Sequence, residues 1–228
     1  MGALRGRNFR LYFLGQLTSA VGTGMTPVAL SFAVLALRHA SASDVGVVLA
    51  AQTVPLVAFL LIGGVAGDRF GRRHVMLAAD VLRASAETAL GAWILLGHPP
   101  FWGFLLLPAL VGTGTAFFMP SLTGLIPQIV SSDRLTQANA LNGLTFSIGA
   151  IIGPAVAGVI VAASNPGWAI LADALSYVLS VCSLAALRLG PVPETTSGSF
   201  LAQLRRGWHE FWSRSWLWAT VTVASVST

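Results

Sequence analysis

"GGVAGDRFGRRHVM" (63–76) crowds Asp68, Arg69, Arg72 and Arg73 into one short stretch of a chain that is only 9% charged. Apolar runs flank it, "VPLVAFLLIGGVAG" (54–67) before and "ALGAWILL" (89–96) after. A knot of charge between two oily segments reads as a loop at a membrane surface, its charges left in water while its flanks cross. The rest of the chain agrees, with 55% hydrophobic residues and a mean hydropathy of +0.76. A bilayer core of about 30 Å takes about 20 mainly apolar residues per helical span. Six such spans are expected, at 10–37, 45–66, 75–97, 101–122, 138–163 and 168–187. A soluble domain of this size is excluded, because it would need polar faces for water.

All 13 basic residues are Arg, and the formal net charge is +5. A soluble basic face for nucleic acid is missing, so the charge must be read by position. Arg5, Arg7 and Arg10 precede span 1, Arg69, Arg72 and Arg73 join spans 2 and 3, and Arg134 joins spans 4 and 5. Arg188, Arg205, Arg206 and Arg214 follow span 6, while the alternate loops hold only Arg38. The positive-inside rule then predicts a multi-pass membrane protein with its N-terminus in the cytoplasm. The apolar run of span 1 is too long for a cleaved signal peptide. Cys182 is the single cysteine, so no intramolecular disulfide forms.

Residues 1–188 are expected to form the transmembrane bundle, and "GPVPETTSGS" (190–199) marks a linker after it. Within 189–215, "FLAQLRRGWHEFWSRS" places apolar and Arg residues at helical spacing, the pattern of an amphipathic helix in the cytoplasmic interface. Residues 216–228 read as the start of a seventh span, which suggests a chain that continues. "VGTG" occurs at 21–24 and again at 111–114, an echo that a 3+3 inverted repeat would produce by making spans 1 and 4 equivalent.

Gly64, Asp68, Arg69, Gly71, Arg72 and Arg73 resemble the loop 2–3 signature of the major facilitator superfamily. The resemblance implies a cytoplasmic gate. Gly64 would let span 2 approach a helix of the other half, Asp68 would sit at a helix end there, and the arginines would complete a contact that breaks as the transporter rocks. In span 5, "GAIIGPAVAG" (149–158) is similar to the antiporter motif of the same superfamily, with Gly149, Gly153, Pro154 and Gly158 matching and Ala157 departing. Gly149 and Gly153 form a small face for close helix approach, and Pro154 removes a backbone donor. The stretch "AFFMPSLTGLIPQIV" (116–130) followed by "ANAL" (138–141) resembles the enterobactin-exporter and macrolide-efflux branch. Many proton-coupled antiporters carry an arginine in span 4 where this chain has Pro108, so coupling would need charges elsewhere.

Span 3 carries such charges. Asp80, Arg83 and Glu87 are spaced by three and four residues, which puts them on one helix face. Intramembrane charges face an interior and find partners. Asp80 and Arg83 read either as a structural pair or as a proton relay, with Glu87 the titrating candidate if Arg83 pairs with Asp80. Asp173, early in span 6, is expected near the outer surface as a satisfied structural carboxylate. Gln16 and Thr23 of span 1, with Phe117 and Met119 of span 4, are candidates to line a substrate cavity, the alternatives being back-bonding and packing. The histidines show no metal-ligand spacing, and no metal or cofactor is expected. No nucleophile elbow or phosphate-binding loop appears, so the chain is not expected to be an enzyme.

These features predict an all-α membrane protein, the six-helix N-terminal bundle of a major facilitator fold. Its expected activity is proton-coupled export of a small apolar organic compound, with lipid around it. A missing C-terminal six-helix half or a second copy of the chain would complete it. A non-transporting remnant is the third reading.

Overall fold

The computed structural model describes residues 2, 4 and 6–189 apart from 39 and 98. The linker, the amphipathic segment and the start of a seventh span lie outside the described residues. Those described form six α-helices: α1 Arg7–Leu35, α2 Ala42–Phe70, α3 Arg72–Leu96, α4 Phe101–Ile129, α5 Leu135–Ala163 and α6 Pro166–Ala185. A 3-10 turn, Ser132–Arg134, precedes α5. Five of the helices are long and apolar enough to cross a membrane. The exception is α3, which bears Arg72, Arg73, Asp80, Arg83 and Glu87 along its 25 residues.

The opening stretch is not a loop. Helix α2 runs through Asp68 and Arg69 to Phe70, and α3 begins at Arg72, so Gly71 alone joins them. Gly71 has φ 85°, in the left-handed region that favours glycine, and this one residue turns the chain. Helix α4 likewise continues to Ile129, past the expected end at 122, with Pro108, Pro120 and Pro127 inside it. Such prolines are tolerated where neighbouring helices and Ser or Thr side chains satisfy the freed carbonyls. At the start of α6, Asn165 accepts from Gly167 N at 2.8 Å and Pro166 occupies the first turn, an N-cap and a residue whose missing donor is harmless there.

Helix α1 packs on α5 and α6, α4 packs on α2 and α3, and α3 packs on α6. Exchanging α1–α3 for α4–α6 maps this set of contacts onto itself. Glycines make the closest approaches. A Cβ at Gly153 would stand 2.6 Å from Gly24 Cα of α1, and one at Gly63 would lie 2.8 Å from Phe117 Cα of α4. The two "VGTG" copies are not equivalent in space. Gly22 faces Asp173 and Ser176 of α6, whereas Gly112 faces Gln52 of α2 and Gly114 faces Ala79 and Arg83 of α3.

The core has two apolar clusters. One, at the Arg-rich end, includes Phe9, Tyr12, Met76, Leu125 and Leu184. The other, at the opposite end, includes Met25, Leu30, Leu90, Phe104 and Ile170. Between them along α1, α3 and α6 lies a buried polar layer: Gln16, Ser19 and Thr26, then Asp80, Arg83 and Glu87, then Asp173, Ser176 and Ser180.

Candidate functional site

The polar layer divides into two groups. In the first, Arg83 Nη2 donates to Asp80 Oδ1 one turn away on α3. The guanidinium lies between two aromatic rings, 4.2 Å from the centroid of Phe118 on α4 and 4.3 Å from that of Tyr177 on α6. Such stacking suits a weakly hydrated, planar cation. Gly114 leaves the room that the Arg83 stem fills. Ser180 of α6 also faces Asp80.

The second group joins three helices. Glu87 of α3 and Asp173 of α6 face each other. Thr26 Oγ1 of α1 donates to Asp173 Oδ2 at 2.6 Å and lies 3.3 Å from Glu87 Oε1. Ser176 Oγ donates to Asp173 Oδ1 at 2.9 Å. Asp173 is 0% and Glu87 2% exposed. Among the described residues, three buried polar side-chain atoms have no hydrogen-bond partner: Asp80 Oδ2, Arg83 Nε and Glu87 Oε2.

Asp173 lies about two turns into α6, which starts at Pro166, and is a buried carboxylate with hydrogen-bond donors on both oxygens. Tyr177 was not singled out by the sequence, although Asp173, Ser176, Tyr177 and Ser180 repeat the helical spacing of the α3 charges. Its hydroxyl lies 3.0 Å from Thr23 Oγ1.

At the Arg-rich end, Asp68 pairs with Arg72 at 3.0 Å across the Gly71 turn, with Asp68 64% exposed. The Arg72 guanidinium rests over Gly124 of α4. Arg73 does something else: its Nε and Nη2 donate to the Leu184 and Ala185 carbonyls at 2.8 and 2.6 Å, closing the C-terminal end of α6. Arg69 is exposed beside Phe70. Gly64, unlike Gly63 and Gly67, meets only Pro120 Cβ at 3.8 Å, so nothing described explains its small size.

In α5, Gly149 and Gly153 press on the α1 backbone at Ala20, Val21 and Gly24, whereas Gly158 has nothing within 4 Å. Pro154 lies inside the helix. The four cavity candidates do not come together. Phe117 borders a cleft of about 360 Å³ between α2, α3 and α4, with Phe70, His74 and Thr113. Gln16 is buried in α1, Thr23 is engaged by Tyr177, and Met119 is exposed. No group of metal-ligating side chains occurs among the described residues.

Comparison with known proteins agrees with this architecture. A family model described as transmembrane secretion effector, within the major facilitator group, matches residues 1–222. The multidrug efflux pump Tap of Mycolicibacterium fortuitum is 29% identical over 184 residues, covering 78% of this chain and 45% of that protein. The enterobactin exporter EntS of Salmonella paratyphi A is 28% identical over 197 residues (86% and 47%), and that of Citrobacter koseri 30% over 201 (86% and 48%). The chain spans about half the length of the curated relatives it matches. It is a membrane-embedded protein, helical throughout its described secondary structure, and it belongs to the transmembrane secretion effector family of the major facilitator superfamily.

Proposed function

We propose that the chain is one six-helix half of a secondary transporter that exports a small apolar organic molecule in exchange for protons. The observation that carries this reading is the buried acidic layer inside a bundle of this family. An intramembrane charge costs about 2.5–3.5 kcal/mol to insert, so three buried carboxyls in one layer point to a function that needs them. In the proposed topology α3 also crosses the membrane despite its charge, which makes six spans, the two halves of the bundle are 3+3 inverted repeats, and the Arg-rich end is cytoplasmic in a bacterial inner membrane.

The partner is a second six-helix unit. Helices α2 and α5 bury little of their length and expose Val54, Val57, Leu60, Ile151, Ile152 and Val159. Gly64 and Gly158 on these helices have the small size but not the close neighbour. The length of the relatives supports a distinct second half over a second copy of this chain. Substrate would bind near the midplane between the units, and Asp68 with Arg72 would stabilise one gate state.

The test is export of a dye, measured as its accumulation in inverted vesicles that hold the protein as the cell produces it, driven by an imposed pH gradient with the lumen acidic. Asp68→Asn should slow efflux at least tenfold with the protein still present at normal level. Unaltered rates would remove the gate, and efflux indifferent to the gradient would remove proton exchange.

A further inference from the structure

We infer that Glu87 and Asp173 share one exchangeable proton and constitute the proton-binding site of the bundle, reached through a water-sized cavity beside Glu87. Proton counting leads there. Thr26 has one hydroxyl proton, and at 2.6 Å it goes to Asp173 Oδ2, while Ser176 donates to Asp173 Oδ1. Both Asp173 oxygens thus have donors, and the carboxyl facing it from α3 has none for Oε2. Two full negative charges side by side in a dry interior repel strongly. One proton held between the carboxyls removes that repulsion and supplies the missing donor.

The acids of the layer are not interchangeable. Asp80 and Arg83 stand three residues apart on α3, and Asp173 and Ser176 stand three apart on α6, each later residue donating to Oδ1 of the acid. The cross-contacts match too, since Asp80 faces Ser180 as Asp173 faces Glu87. Asp80 therefore has a fixed cation where Asp173 has a neutral hydroxyl. The locked acid is Asp80, and the free pair is Glu87 with Asp173. The charged or titratable groups near this pair are Arg83 on its own helix and Tyr177 on α6. From α1, α2 and α4 it is met or approached by Thr26, Gln52 and Pro108.

The entry is on the outer side. Thr26, Gln52, Glu87, Pro108, Leu90 and Ile170 line a cavity of about 10 Å³. That is roughly the space one water needs, with polar partners on its wall. Leu90 and Ile170 belong to the apolar cluster far from the Arg-rich end, so this water would hand protons to Glu87 from the outer half.

The use of the site rests on the exporter reading, but its existence does not. Infrared difference spectra of the natural protein in lipid vesicles, titrated with pH and exchanged into D₂O, test it. Wild type should show a protonated-carboxyl carbonyl band that shifts in D₂O. Glu87→Gln should remove that band, Asp173→Asn should shift or remove it, and Asp80→Asn should leave it in place. Absence of the band in wild type, failure to shift in D₂O, or an unchanged band in both Glu87→Gln and Asp173→Asn would each overturn the site. The wild-type readings need no variant, so misfolding of a mutant offers no escape. The assigned band together with gradient-indifferent transport would uphold the site and overturn proton-driven export.

Discussion

Arg83→Met keeps the apolar stem and helix propensity of the side chain while removing the guanidinium and its charge opposite Asp80. Asp80 is 0% exposed, with Arg83 as its cation and Ser180 as a neutral neighbour. Removing one partner from a buried pair costs about 3–5 kcal/mol, because the remaining charge is stranded. The lost stacking on Phe118 and Tyr177 adds about 2 kcal/mol, the value of a desolvated cation between aromatic faces. Those rings come from α4 and α6, so they act only when the bundle assembles, whereas the ion pair lies within α3 and exists in the inserted helix as well. Part of the pair's loss is therefore felt at insertion, and the net drop in bundle stability should be about 4–5 kcal/mol. Adding Asp80→Asn removes the stranded charge and should restore about 3 kcal/mol, leaving the ring contacts as the deficit. Reversible unfolding in mixed micelles of wild type, both single variants and the double closes the cycle. A double variant no more stable than Arg83→Met alone would refute the account, because Asp80 would then not depend on Arg83.

Gly153→Leu should lower the unfolding midpoint, by about 1–3 kcal/mol in stability, since its side chain meets the α1 backbone. An unchanged midpoint would deny the α1–α5 contact. Arg73→Gln should speed amide exchange at the C-terminal turn of α6 by freeing the Leu184 and Ala185 carbonyls, and unchanged exchange there would remove Arg73 as the cap. At the other end of α2, Ser41 N and Oγ donate to Asp44 Oδ2 at 2.8 and 2.7 Å and hold its carboxyl below the ordinary carboxylate range. That support is complete above the unfolded value near 3.8 and is lost as pH falls through the lowered folded value. Amide exchange in the first turn of α2 should rise only in strong acid, and fraying already at pH 6 would refute the cap.

Composition and Arg placement were sufficient to read the helical, membrane-embedded class, because apolar length and loop charge are local properties of the chain. The spacing of Asp80, Arg83 and Glu87 likewise gave their shared face. What escaped was set by neighbours from elsewhere in the sequence. The charge-dense stretch read as a loop because charge is a poor substitute for backbone information, and one glycine at φ 85° lets two helices meet there. Asp173 could be placed early in its span as a satisfied carboxylate, but its partners Thr26 and Glu87 come from other helices and could not be read from the sequence. The glycines divided in the same way. Gly149 and Gly153 could be read as a packing face, but only the packed bundle shows that α1 occupies it while Gly158 stays open.

The proposed repeat explains why one layer can be both rigid and responsive. If α1–α3 and α4–α6 descend from one unit, Asp80 and Asp173 are the same position, and so are Arg83 and Ser176. They lie the same distance apart along the chain, and each acid accepts from the residue three places later. An arginine at that place fixes its acid and adds two ring contacts, which ties α3 to α4 and α6. A serine there satisfies one oxygen without charge, so the acid must look across the interface, where the counterpart of Ser180 is Glu87. The asymmetry of a single pair, Arg83 against Ser176, thus separates a structural acid from an exchangeable one. It also makes a directional demand: Ser176→Arg should pin Asp173 as Arg83 pins Asp80, and should abolish proton exchange without removing either carboxyl.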